Sequence, residues 1–79
     1  MMTEEIYKRT NEVFHDIFDD ESIVVTGSTV AEDIEEWDSL EHINLVVAIE
    51  KEFGVKFKMK EITGMKNVGE MVEIIQDRA

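Results

Sequence analysis

The chain has 79 residues, enough for one small domain spanning 1–79, and its 43% apolar content supplies a modest core. It lacks cysteine, which excludes a disulfide framework and a cysteine-based zinc site, and it lacks proline, so nothing breaks its helices from within. A net charge of −11 argues against nucleic acid or an anionic membrane as partner.

The layout of that charge is uneven. Thr10 to Glu50 carries twelve acidic residues and no lysine or arginine, whereas Lys51 to Ala79 is close to balance. Solubility explains the total, but less naturally a run of 41 residues without a cation. Such a field steers basic partners toward the first two thirds of the chain. No apolar run approaches the roughly 20 residues of a membrane span. The opening Met-Met-Thr-Glu-Glu is acidic and unlike a signal peptide. The expectation is a soluble cytoplasmic monomer.

The first predicted helix covers Thr3 to about Phe18. Ile6, Val13, Phe14, Ile17 and Phe18 repeat at helical spacing, with Thr10 bridging the gap. Thr3 reads as its N-cap, and Glu4 and Glu5 suit the positive end of the helix dipole. Asp19-Asp20-Glu21-Ser22 ends it. Residues 19–37 form a long connection, with Ile23, Val25, Val30 and Ile34 as apolar anchors onto the helices. Gly27-Ser28 is a turn, and Val30 to Ile34 holds one short helical turn. A loop of this length belongs in a small domain only if it is packed or functional.

The second helix runs from Ser39 to about Phe53. Leu40, Ile43, Val46, Val47, Ile49 and Phe53 form a wide inward stripe, broadened by Leu45 and Ala48. Asp38 as cap with Glu41 three positions into the helix is a capping-box-like start, and Gly54 is the stop. Val55 and Phe57 carry an extended link, Lys58 to Thr63 forms a short third helix ended by Gly64, and Asn67 caps the last helix with Glu70 three residues on. Val68, Met71, Val72 and Ile75 line the inner face of that helix, and Arg78 suits its C-terminal end. The fold class is all-α: a small bundle of three main helices plus one short helix, with a long first loop.

The most informative stretch is Trp37-Asp38-Ser39-Leu40-Glu41-His42. Ser39 begins a helix in an acidic surround, beside backbone N–H groups that have no helical partner. No base adjoins it, so it reads as an attachment point modified by another enzyme. His42, one turn on, reads as a surface polar residue, as does His15 on the first helix. No third group orients either histidine, which excludes a Ser-His-Asp hydrolase. The acidic clusters lack the spacing and central glycine of a calcium loop, and no metal ligand set is expected.

Taken together, these features resemble the acyl carrier protein family over nearly the whole chain, most strongly over Trp37–Phe57. Asp38-Ser39-Leu40 corresponds to the family's prosthetic-group motif. Ala48-Ile49-Glu50-Lys51-Glu52-Phe53 resembles its second-helix ending, and Asn67-Val68-Gly69-Glu70-Met71 its last-helix start. The resemblance implies that Ser39 carries 4′-phosphopantetheine, joined through a phosphodiester by a separate phosphopantetheinyl transferase that uses coenzyme A. The distal thiol then holds acyl groups as thioesters, and the chain is itself no enzyme. Asp38 would both cap the helix and help the transferase engage. A phosphodiester suits a helix N-terminus by about 0.3–1 kcal/mol at an exposed site.

The expected partners are that transferase and acyl-transferring or condensing enzymes of fatty acid, polyketide or related biosynthesis. Their basic docking patches would meet Glu35, Glu36, Glu41, Glu50 and Glu52. Trp37 either anchors a partner or folds back over the loop. Asn44, Lys51, Trp37, His42 and the missing proline after the second helix depart from the fatty-acid carriers, so a specialised carrier fits at least as well. A peptidyl or aminoacyl carrier with the same arm, and an acidic adaptor whose Ser39 is never modified, are the alternatives. The bundle's apolar lining suggests room for an acyl chain between helices, flanked by Met59, Met65 and Met71, although methionine also simply fills core gaps.

Overall fold

A computed structural model describes residues 1–79. Four helices and no strand make up the chain: α1 Thr3–Phe18, α2 Ser39–Phe53, α3 Met59–Thr63 and α4 Val68–Arg78, with one 3-10 turn at Ala31–Asp33 in the long first connection. This is the expected all-helical bundle. No helix is long and apolar enough to cross a membrane.

Helix α1 packs on α2 and α4. Its inner face is Ile6, Thr10, Val13, Phe14 and Phe18, all buried. Thr3 is the first helical residue and not the cap. Met2 occupies the cap position with no side-chain bond, and the Thr3 hydroxyl instead donates to Gln76 Oε1 of α4 at 3.2 Å. Asp19 ends α1 in the left-handed region at φ 49°, a conformation that aspartate tolerates better than most residues. Asp20 then closes a tight turn. Its carboxylate accepts from the Ser22 hydroxyl and N–H at 2.6 and 2.9 Å, and those bonds lower its pKa.

The long connection is fastened at both sides. Asn11 Oδ1 accepts from the Val25 N–H at 2.7 Å, and His15 Nε2 donates to the Ile23 carbonyl at 2.6 Å. His15 is therefore a loop tether, half-buried, and not the surface residue expected. Val25 is buried, and Ile23 and Ile34 pack against the core, whereas Val30 is half-buried and stands outside the cluster. The α4 start holds the other side: the Val68 and Gly69 N–H groups donate to the Thr29 and Gly27 carbonyls at 2.9 and 3.0 Å. Those two donors would otherwise be unpaired at a helix N-terminus. The approach is close enough that a Cβ on Gly69 would lie 2.8 Å from the Gly27 carbonyl oxygen, which is why glycine stands there.

Helix α2 has the expected bounds. The Asp38 carboxylate accepts from the Glu41 N–H at 2.8 Å, and Gly54 stops the helix at φ 66°. The reciprocal half of a capping box is missing, because the Asp38 N–H donates to the Glu36 carbonyl and Glu41 accepts from the Asn44 amide. After Gly54 the chain turns back, burying Val55 and Phe57. Glu50 holds this link by accepting from the Phe57 N–H at 2.7 Å. Arg9 of α1 covers the end of α2, pairing with the Glu52 carboxylate at 2.7 Å and its carbonyl at 2.6 Å, with its guanidinium 4.6 Å over the Phe53 ring. A cation at that end suits the helix dipole.

Fifteen apolar residues form one core, with Phe14, Ile6, Leu45, Ile49, Met71 and Ile75 almost wholly enclosed. Each such side chain contributes about 1.5–3 kcal/mol by leaving water. Asn67 caps α4 by accepting from the Glu70 N–H at 2.9 Å. Helix α3 buries no residue of its own. It is held to α4 by Arg78, which forks onto both Glu61 carboxylate oxygens at 2.7 and 2.6 Å and also reaches the Lys56 carbonyl at 2.8 Å.

Candidate functional site

Ser39 is the first residue of α2 and is exposed. Asp38 beside it is exposed but engaged: its side chain caps the helix, and its carbonyl accepts from the His42 N–H at 2.9 Å. The serine therefore stands on a fixed turn, with its position set by the cap.

A cleft of about 530 Å³ opens at Ser39, between the start of α2 and α3. Trp37, Ser39, His42, Ile43, Ile62 and Met65 are among its walls. A larger, more polar depression of about 640 Å³ lies at the far end of α1, among Asp19, Asp20, Asp33, Glu35 and Glu36. Its carboxylates are not arranged as a metal site, and no group of three His, Cys, Asp or Glu side chains in the chain is. The cleft beside the serine has the more apolar walls of the two.

Trp37 folds inward. Its ring meets Phe14 edge-on at 5.3 Å and lies 6.3 Å from Phe18. Its Nε1–H donates to His42 Nδ1 at 3.1 Å. An indole nitrogen can only donate, so Nδ1 must be the acceptor and the ring proton must sit on Nε2. That Nε2–H donates to the Ile62 carbonyl of α3 at 2.9 Å. His42 is thus a half-buried bridge from Trp37 through α2 to α3, and the surface reading of it is corrected.

The apolar stripe on α2 also differs from expectation. Leu45, Val46, Ile49 and Phe53 face the core, but Leu40 is 70% exposed, Ile43 47% and Val47 43%. At about 100° per residue, these three share a sector roughly 60° wide beside the buried one. Met59 of α3 is also exposed, at 70%. The three methionines do not cluster: Met71 is in the core, Met59 is at the surface, and Met65 is at the cleft.

The acidic residues divide likewise. Glu35 and Glu36 are exposed in the bend before Ser39, and Glu41 is half-buried within the first turn of α2. Glu50 is half-buried and committed to the Phe57 N–H, and Glu52 is committed to Arg9. Glu50 also lies roughly 16 Å along the helix from Ser39. The expected exposure therefore holds for Glu52, although it is paired, and is corrected for Glu41 and Glu50, which are half-buried. Nothing in spacing pairs residues 42 and 62 or 50 and 57. An excess of apolar residues on one short helix is the signal that marks Leu40, Ile43 and Val47 as more than core.

The chain matches the family model described as "Phosphopantetheine attachment site" over residues 31–75. It is 37% identical over 59 residues to the acyl carrier protein of Rickettsia canadensis (strain McKiel), covering 75% of this chain and 67% of that one. The acyl carrier protein of Rickettsia prowazekii (strain Madrid E) is 36% identical over the same length. The solution NMR structure of a holo acyl carrier protein from Geobacter metallireducens superposes with a TM-score of 0.85 at 39% identity, covering 91% of this chain and 83% of that chain. The chain therefore belongs to the acyl carrier protein family, carriers of covalently attached 4′-phosphopantetheine and not catalysts.

Proposed function

We propose that Ser39 is the residue that carries the 4′-phosphopantetheine, within a single carrier domain spanning 1–79, and that the cleft at α2 and α3 shelters the acyl cargo. The observation that carries this reading is the exposed Ser39 at the capped start of α2, opening directly onto an apolar-walled cleft. When bound, the group supplies a flexible arm with a terminal thiol for thioester exchange. The protein's own residues supply the rest. Asp38 fixes the serine's turn. The first α2 amides favour the anionic phosphodiester. Trp37, Ile43, Ile62 and Met65 keep water from an apolar chain.

Partner enzymes of fatty acid, polyketide or related biosynthesis are read here as docking on the same end. Exposed Glu35, Glu36 and Asp38, with Glu41, would meet basic patches, and Leu40, Ile43 and Val47 would supply apolar contact at the centre of the patch. The relatives' name, acyl carrier protein, favours acyl over aminoacyl cargo.

Incubation with coenzyme A and a broad-specificity phosphopantetheinyl transferase tests the attachment. The intact mass should rise by one phosphopantetheine in wild type and stay unchanged in Ser39→Ala. A gain in the variant equal to wild type overturns the assignment.

A further inference from the structure

We propose that His42 is a positioning residue that latches α3 over the cleft and so sets which chain lengths the carrier shelters. This rests on the reading that cargo occupies that cleft.

Helix α3 is only five residues long and buries none of them. A helix that short does not hold itself together in water. Its Ile62 leans half-buried on the core, and polar contacts fix the helix at two points. Arg78 grips Glu61 and the Lys56 carbonyl from α4. On the side facing the cleft, the Ile62 carbonyl accepts from His42 Nε2. His42 is itself held in orientation, because Nδ1 accepts from the Trp37 indole and the two rings stack at 5.8 Å. Trp37 is braced in turn against Phe14.

His42, Ile62 and Trp37 are all walls of the cleft beside Ser39. Widening the cleft therefore means moving α3 about the Arg78 anchor and breaking the His42–Ile62 bond. A short chain fits without that movement, and a long one requires it. The latch tunes cargo choice without touching the thioester.

The side chain's two bonds can be separated. His42→Gln retains an amide donor with the reach of Nε2, whereas His42→Ala removes both bonds. Each protein is loaded with butyryl and decanoyl groups by a broad-specificity transferase from the matching acyl-coenzyme A. Two properties are read: the half-life of each thioester in hydroxylamine, and the emission of Trp37, the only tryptophan in the chain. Thermal unfolding reports that each variant retains its fold.

Loss of one hydrogen bond should raise the open population, and with it the decanoyl half-life in His42→Ala, by roughly three- to tenfold. The butyryl half-life should stay level or fall. His42→Gln should behave as wild type. Equal decanoyl half-lives in all three proteins, with Trp37 emission still responding to chain length, overturn the latch and leave the cleft reading standing. Emission blind to chain length in all three overturns the cleft reading, and the latch with it. If His42→Ala melts too low to load, His42→Leu, which fills the space without a donor, takes its place: a decanoyl half-life several-fold above wild type supports the latch, and one equal to wild type overturns it.

Discussion

Asp38 combines a structural bond with a charge, and two substitutions separate them. Its carboxylate accepts from the Glu41 N–H, and it is exposed next to Ser39. Asparagine caps a helix about as well as aspartate, whereas alanine costs about 1 kcal/mol or somewhat more. Asp38→Asn should therefore unfold in urea close to wild type, and Asp38→Ala clearly earlier. Both should slow phosphopantetheine transfer if the transferase reads the negative charge, as the account holds. A rate preserved in Asp38→Asn would reduce this residue to a cap. Thr10 makes the opposite prediction. It is wholly buried, and its hydroxyl has no hydrogen-bond partner. An orphaned buried hydroxyl costs about 1–3 kcal/mol. Thr10→Val keeps the shape and removes the group, so the urea midpoint should rise by the equivalent of about 1 kcal/mol with an unchanged slope.

Among the elements, α3 depends most on a single ion pair. The Arg78 fork, the Lys58 N–H and nearby positive charge hold the Glu61 carboxyl at about 2, down from 4.5, and Glu61 in turn raises the Arg78 pKa. A carboxylate whose pKa is depressed by folding stabilises the fold above its ordinary value, and that contribution fades as pH falls toward the depressed one. The stabilisation should therefore be complete above about pH 5 and lost progressively from 4.5 down to about 2. Comparing wild type with Glu61→Gln by thermal unfolding across that range should show a wild-type advantage near neutrality that disappears at the acid end. A pH-independent difference would mean that the pair contributes nothing electrostatic.

The same scale separates what the sequence makes legible from what it does not. The bounds of α2 are local chemistry, an aspartate cap and a left-handed glycine, and both can be read from residues 38 and 54 alone. Its facing is not local. Eight of its fifteen residues are apolar, more than one side can bury, and only the positions of α1 and α4 decide that Leu45 turns in while Leu40 turns out. Polar side chains with distant partners are hidden for the same reason. Glu50 looks free until the chain returns at Phe57, and His42 looks free until α3 arrives at Ile62. Ser39 is readable because its setting is short-range, a cap, a helix start and flanking acids.

At the scale of the whole molecule, the charge is divided. Thr10 to Glu50, which includes the surround of Ser39, carries twelve negative charges and no lysine or arginine, while the C-terminal third is near neutral. Association with a basic partner enzyme should accelerate at low ionic strength. Stopped-flow rates should fall steeply as salt rises from about 0.01 to 0.15 M, where the screening length shortens from about 30 to 8 Å. Dissociation rates should change far less if Leu40, Ile43 and Val47 supply the proposed apolar contact, because such contact is not screened. A salt-insensitive association rate would contradict steering by this face.

If Ser39 alone bears the arm, the other serines of the chain stay bare. Three serines are present, Ser22, Ser28 and Ser39. The most direct measurement is peptide mapping by mass spectrometry after transfer from coenzyme A. All added phosphopantetheine should lie on the peptide containing Asp38-Ser39-Leu40, at Ser39. Label on Ser22 or Ser28, or a chain left unlabelled by a transferase active on other carriers, would contradict it.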